Sequence, residues 1–132
     1  MDAIRVEHLT KRFGSVTAVD RLSLSVAKGE IFGLVGPDGA GKTTTMRLLT
    51  SIMDPDGGEA WVAGRHIVHE AEAVKRRIGY MSQRFGLYAD LTVLENIHFY
   101  ADIYSEPRKG RQEKIERLLA FSNLTPFKRR LA

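Results

Sequence analysis

A glycine-rich loop carries the strongest chemical signal in the chain. Residues 36–44 read GPDGAGKTT, in which four residues separate Gly36 from Gly41 and a lysine and a threonine follow. Glycines let backbone N–H groups converge on phosphate oxygens without interference from a Cβ atom. Lys42 is predicted to place its ammonium near the β and γ phosphates of a nucleotide, and Thr43 its hydroxyl on Mg²⁺. We call residues 36–44 the glycine loop.

The glycine loop and the helix after it are predicted to bind the phosphates of a nucleotide together. The helix that follows it adds a dipole worth about 0.3–1 kcal/mol to a bound anion. We expect the carboxylate of Asp38 to point away from the phosphates, because like charges repel. The predicted nucleotide-binding residues of the loop are Gly36, Asp38, Gly39, Ala40, Gly41, Lys42, Thr43 and Thr44.

The elements around the loop are predicted from the spacing of apolar residues. The continuous apolar run Ile31 to Val35 is typical of a parallel strand covered on both faces. The stretch 42–53 has helical spacing and ends at Asp54-Pro55. Together they predict a strand, loop and helix over residues 31–53.

Other patterns predict further elements. Residues 4–8 and 22–26 alternate apolar and polar side chains, which favours two half-buried antiparallel strands. Short strands are expected at 60–63 and 78–81, and a helix at 70–77. Thr92-x-x-Glu95 is a capping box that opens a helix, and an amphipathic helix continues to about Asn123.

Composition narrows the class of protein. The 132 residues are 43% hydrophobic and 27% charged, as in ordinary globular domains, and contain no cysteine for disulfides or metal sites. No apolar run approaches the roughly 20 residues of a membrane-spanning helix, and the N-terminus lacks the pattern of a secretory signal. The net charge is +4, with basic residues concentrated in 108–130, which we interpret as a solvated face.

The ordered motifs resemble the N-terminal half of an ABC transporter nucleotide-binding domain. Phe13 in KRFG matches the aromatic residue that stacks on adenine in that family. The glycine loop matches its Walker A motif, PDGG before Glu59 its following turn, and Gln83 in GYMSQ its Q-loop glutamine. The stretch 85–104 looks most like ATPase subunits of bacterial drug-export type. Phenylalanine stands where tyrosine is common, but it keeps the stacking face.

The resemblance implies an α/β fold: a P-loop NTPase of ABC type with an N-terminal antiparallel β subdomain and an incomplete RecA-like parallel core. The whole chain, 1–132, then corresponds to the N-terminal part of one ATP-binding domain. Its expected parts are the β subdomain (about 1–30 and 59–64), the Walker A strand, loop and helix (31–53), the Q-loop strand (78–83), and the Q-loop with the start of a helical subdomain (84–132).

The resemblance also implies function. ATP and Mg²⁺ are the expected cofactors, with Lys42 and Gln83 catalytic and Thr43 and Gln83 on the metal. Residues near 84–96 would face a transmembrane permease that exports a substrate, so the protein would lie peripherally on the cytoplasmic face of the membrane. A second ATP-binding domain, or the C-terminal half of this one, is the other expected partner.

Motifs that hydrolysis needs in this family do not occur in the 132 residues: an LSGGQ-like signature, a Walker B aspartate with its catalytic glutamate, and a switch histidine. We therefore expect the chain to stop before the signature and to show negligible turnover alone. Strands that separate the Walker A and Q-loop strands would come from the C-terminal half, leaving a gap in the sheet.

Alternatives remain open from the sequence. The chain could be a non-catalytic module that docks on a permease or a full-length ATPase, or, less favoured, a soluble ABC-type protein acting on nucleic acid or ribosomes. Phe13 could instead be a core aromatic, and Gln83 an exposed strand end. Phe85 and Tyr88 could contact a permease or simply pack.

Overall fold

The computed structural model describes residues 2–84 and 86–132, so Phe85 lies outside the described residues. The chain divides into two compact units, the first ending at Tyr80 and the second beginning at Met81. The first unit contains β1 (Asp2–Phe13), β2 (Val16–Ala27), α1 (Lys42–Leu49), β3 (Gly57–Val62), β4 (Arg65–His66) and α2 (Ala71–Lys75), and the second contains α3 (Val93–Ile103), α4 (Arg111–Phe121) and a 3-10 turn (Thr125–Phe127).

The first unit is built on an antiparallel sheet with strand order β2-β1-β3-β4. The strands predicted at 4–8 and 22–26 are confirmed as parts of β1 and β2, which pair along their length. The alternation in β1 is interrupted after Val6, where the register shifts and His8 adopts a φ of +51°. Leu9 is therefore the next buried residue of the strand, and His8 is exposed.

Two helices cover this sheet and complete the core of the first unit. α1 contributes Leu48 and Leu49, and α2 contributes Val74, which is fully buried. Against them pack buried side chains of the sheet and of the turn after β4: Val6, Leu9, Val19, Ala60, Val62 and Ile67. Burial of this apolar area fixes α1, and with it the C-terminal end of the glycine loop, relative to the sheet.

The predicted parallel strands are not formed, which corrects the assignments at 31–35 and 78–83. No strand is present in either segment, and the side chains of Ile31 and Val35 are 101% and 93% exposed. A strand exists through hydrogen bonds to a neighbouring strand, and none of the described strands pairs with these segments. The apolar run at 31–35 therefore did not mark a strand among the described residues.

The second unit consists of two helices and the turn that follows them. The capping box predicted at the start of α3 is confirmed: the Thr92 hydroxyl accepts from the Glu95 N–H at 3.2 Å, and the Glu95 carboxylate accepts from the Thr92 N–H at 2.8 Å. An ion pair of 2.6 Å between Asp102 and Arg111 joins α3 to α4. Among the described helices, none has the length and hydropathy required to cross a membrane.

Candidate functional site

The glycine loop forms a tight, exposed turn before α1. The Ala40 N–H donates to the Pro37 carbonyl at 3.2 Å, which closes the turn. Gly39 and Gly41 have φ angles of +80° and +90°, in the left-handed region that residues with a Cβ atom rarely adopt. Backbone N–H groups in such a turn can converge on one anion.

A close contact between main chains holds the loop against β2. A Cβ atom added to Gly41 would lie 2.0 Å from the carbonyl oxygen of Ala18. Glycine is therefore required at this position for two reasons, its φ angle and the space available. The contact places the start of α1 beside the β1–β2 hairpin, because Ala18 lies two residues from Val16, the partner of Phe13 at the end of the hairpin.

The side chain of Lys42 folds back over the glycine loop. Its ammonium donates to the carbonyl oxygens of Gly36 and Pro37 at 2.5 and 2.7 Å. An ammonium carries three N–H donors, so it can keep these two contacts and direct a third donor to a phosphate. The positive charge is already held at the loop that would receive the phosphates.

The N-terminus of α1 suits an anion. Gly41 caps the helix without a side chain, and the first turn contains no acidic residue. The first turn of a helix presents N–H groups and the positive end of the helix dipole. Thr43 lies in this turn with an exposed side chain, the position from which its hydroxyl is predicted to reach Mg²⁺. The residues of the loop therefore fit a nucleotide polyphosphate with its metal.

Phe13 ends β1 at the tip of the hairpin, with 47% of its surface exposed. The alternative interpretation of Phe13 as a core aromatic is therefore wrong. A half-exposed ring at the end of the hairpin offers a flat apolar face that can stack on a nucleobase. The ammonium of Lys11 lies over the ring, 5.7 Å from its centroid.

Asp56 connects the hairpin to the turn before β3. Its carboxylate accepts from the Arg12 N–H at 2.6 Å and from the Lys11 ammonium at 3.2 Å, and its own N–H donates to the Thr10 carbonyl at 2.9 Å. The Arg12 N–H first, and then Lys11, hold the pKa of the Asp56 carboxyl below its ordinary value of 3.8. The carboxylate therefore stays ionised at neutral pH and keeps Lys11 beside Phe13.

Gln83 belongs to the second unit and has an exposed side chain. Its predicted contacts with Mg²⁺ and the attacking water stay predictions. The segment after it, residues 86–92, runs along the start of α3, and we call it the anchored segment. It is part of the region near 84–96 for which permease contacts are predicted.

Asn96 holds the anchored segment from the first turns of α3. It is 2% exposed, and its amide oxygen accepts from the Tyr88 N–H at 2.9 Å. The two hydrogens of its NH₂ group are shared among the carbonyls of Tyr88, Leu91 and Thr92, at 2.9, 3.2 and 3.1 Å from the nitrogen. One side chain therefore satisfies main-chain groups at three positions. The Tyr100 hydroxyl adds a hydrogen bond to the Gly86 carbonyl.

The surface of the anchored segment is apolar and half-exposed. Leu87 and Tyr88 are each 50% exposed, while the Tyr88 ring also packs edge-to-face on Phe99 with centroids 4.7 Å apart. Tyr88 therefore both packs and presents part of its ring to a possible partner. Whether Phe85 contacts a permease or packs stays a prediction, because Phe85 lies outside the described residues.

Part of the basic C-terminal stretch is engaged within the second unit. Arg111 pairs with Asp102, Lys114 pairs with Glu106, and the Arg130 guanidinium lies 4.9 Å from the centroid of the Phe127 ring. These contacts support the interpretation of a solvated, internally paired face over that of a nucleic-acid surface.

Three supporting residues were not found from the sequence. Lys11 and Asp56 are 45 positions apart, so no local pattern links them. Asn96 follows the capping-box glutamate directly, and an amide in the first turns of an apolar helix was the available signal. Buried polar side chains normally have hydrogen-bond partners. Recognising that position 96 is buried would therefore have predicted a hydrogen-bonding role for its amide.

Comparison with known proteins agrees with these observations. The family model described as "ABC transporter" matches residues 19–132. A probable multidrug ABC transporter ATP-binding protein of Escherichia coli (strain K12) is 46% identical over 131 residues, covering 98% of this chain and 23% of that protein. A Nod factor export ATP-binding protein of Ralstonia nicotianae is 40% identical over 121 residues, covering 92% and 38%. Other relatives are named for import.

Solved structures show the same fold. The ATP-binding subunit of an ABC transporter superposes with a TM-score of 0.86 at 23% identity, covering 98% of this chain and 54% of that one. The predicted fold class, an α/β P-loop NTPase of ABC type with an N-terminal antiparallel β subdomain, is confirmed, whereas no parallel strand pair is present among the described residues. The chain spans about a quarter of the length of the first curated relative (23%). With 114 of its 132 residues (19–132) matched by the family model, this chain belongs to the ABC transporter family.

Proposed function

We propose that the chain binds MgATP as the front part of an ABC-type ATPase. The observation that carries this proposal is the glycine loop: a left-handed Gly41 packed on β2, the Lys42 ammonium over the loop, and a helix start without carboxylates. These features supply N–H donors and positive charge for the phosphates. Phe13 supplies the face for adenine, and Thr43 supplies an oxygen ligand for Mg²⁺.

The test is a calorimetric titration of the chain with MgATP. Lys42→Ala removes the ammonium and is expected to weaken binding by at least tenfold, since charge-assisted contacts to phosphate are worth about 1.5–3 kcal/mol. Lys75→Ala removes an equal charge from an exposed ion pair on α2 and should leave binding unchanged. Equal binding by wild type and Lys42→Ala would contradict the proposal.

We propose that hydrolysis and coupling require residues outside this chain. Lys42 then acts on the γ-phosphate together with a carboxylate contributed by another segment or partner. Phosphate release by the chain alone is expected at background level. Steady release that disappears in Lys42→Ala would show that these 132 residues are sufficient.

The transporter role is proposed from the relatives. The names of these relatives include multidrug transport and Nod factor export, and we propose that this chain serves an exporter as a peripheral subunit on the cytoplasmic face of the membrane. A second ATP-binding domain is the expected dimer partner.

A docking role for the second unit is the other function that a specific observation favours. Asn96 fixes the anchored segment so that Leu87 and Tyr88 remain half-exposed. We propose that this surface contacts a transmembrane permease. A photocrosslinker at Leu87 should yield an adduct with a membrane protein, and one at Lys75 on α2 should not. Equal labelling from both positions would contradict the proposal.

A further inference from the structure

We propose that Lys11, held in place by Asp56, is a positioning residue for the base end of the nucleotide site. The inference rests on the proposed nucleotide binding and extends it to residues that carry no phosphate or metal role. Its basis is an arrangement within the first unit: carboxylate, ammonium and aromatic ring in contact, in that order.

The geometry of Lys11 separates it from an ordinary surface lysine. Its side chain is 15% exposed, whereas that of Asp56 is 45% exposed. Lysine side chains lose much conformational freedom when they are fixed, so a well-covered lysine indicates a specific environment. Here the environment consists of the Asp56 carboxylate on one side and the face of Phe13 on the other.

The cation determines which face of Phe13 is available. The ammonium lies over the ring, 5.7 Å from its centroid, within the distance at which cations and aromatic rings attract. A neutral nucleobase is then expected to stack on the face of the ring away from the ammonium. Lys11 also restricts rotation of the half-exposed ring, so less freedom is lost when the base binds.

The same strand pair sets the distance between the base and phosphate ends. Phe13 pairs with Val16 of β2, and Ala18 contacts Gly41 of the glycine loop. Two residues of strand cover about 7 Å, so a ring held at the hairpin end lies a short, fixed distance from the loop. Positioning of the ring therefore affects only ligands that carry a base.

The test compares MgATP with magnesium tripolyphosphate, which has no base, by calorimetry. Lys11→Gln and Asp56→Asn are each expected to weaken MgATP binding about two- to fivefold, the range of an exposed cation–π contact. Tripolyphosphate binding should not change in either variant. Lys11→Arg keeps a cation that stacks on aromatic rings and should retain the wild-type affinity for MgATP.

Electrostatics alone predicts the opposite change in MgATP affinity for Asp56→Asn. If Lys11 and Asp56 acted only through their charges, Asp56→Asn would strengthen the binding of both anions, and that result would overturn the proposal. Lys75→Gln, which removes the same charge as Lys11→Gln far along the sequence on α2, is the matched control and should bind both ligands like wild type.

Each remaining outcome is also decisive. Asparagine keeps an oxygen that can accept from the Arg12 N–H, and Trp61 fluorescence checks that the first unit stays folded. If Asp56→Asn does not fold, the contrast between Lys11→Gln and Lys11→Arg decides. Unchanged MgATP binding in Lys11→Gln, with binding lost in Lys42→Ala, rejects this inference alone. Failure of the wild type to bind MgATP rejects it together with the proposed function.

Discussion

The glycine loop in the first unit and the anchored segment in the second are both exposed stretches that lead into a helix, but different atoms hold them. The glycine loop rests on β2 through a main-chain contact, that of Gly41 with the Ala18 carbonyl, and its own Lys42 ammonium bonds two of its carbonyls. The anchored segment is held by the side-chain amide of Asn96. A main-chain contact needs the absence of a side chain, whereas an amide clamp needs one particular side chain.

The two helix starts differ in the same way. α3 directs its Val93 and Leu94 N–H groups to the carbonyls of Arg130 and Lys128, and Glu95 completes its capping box. α1 has a glycine cap and no acidic residue in its first turn. The start of α3 is therefore occupied by the protein's own acceptors, and that of α1 suits an external anion.

The largest effect is expected for Gly41→Ala. The new Cβ atom meets the Ala18 carbonyl and forces a left-handed alanine, which together cost about 2–5 kcal/mol of stability. Gly64→Ala is the matched control, because Gly64 also has a positive φ, +74°, but nothing lies within 4 Å of its added Cβ. Chemical denaturation followed by Trp61 fluorescence measures both variants. Equal losses would show that the contact with β2 does not hold the loop.

Asn96→Ala should have the next largest effect, confined to the second unit. It leaves partly buried main-chain groups without their partner, at a cost of about 1–3 kcal/mol. Hydrogen exchange at the Tyr88 amide should become at least tenfold faster. Gln112→Ala removes an exposed amide that bonds Glu116 and is the control. Unchanged exchange in Asn96→Ala would show that other contacts hold the anchored segment.

Thr92→Ala should cost about 1 kcal/mol, the usual value of a lost helix cap. Thr92→Ser keeps the hydroxyl and should stay close to wild type. Because Asn96 bonds the Thr92 carbonyl and not its side chain, exchange at the Tyr88 amide should change much less than in Asn96→Ala. If exchange at the Tyr88 amide accelerates similarly in Thr92→Ala and Asn96→Ala, the start of α3 and not the Asn96 amide holds the anchored segment.

The smallest effect is a difference in pH response. The folded-state pKa of Asp56 lies below its ordinary value of 3.8, so its contribution is complete above that value and is lost as the pH falls through the lowered pKa. Between pH 7 and 5 the hairpin contact should not change. The amide of Asn96 does not titrate, so the anchored segment should keep this clamp under acid. An NMR titration of the Asp56 carboxyl with a midpoint above 3.8 would contradict this prediction.

Local sequence patterns predicted the elements whose interactions are local. The capping box of α3 joins residues three apart, and alternation in residues 4–8 and 22–26 marked two strands that a two-residue turn connects. The predicted strand at 31–35 failed, because a parallel strand depends on distant partners. The sequence also did not predict that the alternation of buried and exposed residues in β1 stops after Val6, because a register shift leaves no signal in the composition.

The sequence by itself predicted a phosphate and metal site at the glycine loop, because the glycine spacing, Lys42 and Thr43 match what a phosphate and its metal require. It also determined the family, through Phe13 and Gln83 in register with that loop. Only the tertiary structure decided that Gly41 rests on Ala18, that Asp56 holds Lys11 beside Phe13, and that Asn96 clamps the anchored segment. These contacts depend on which groups the folded chain brings within a few ångströms, and a linear pattern does not contain those distances.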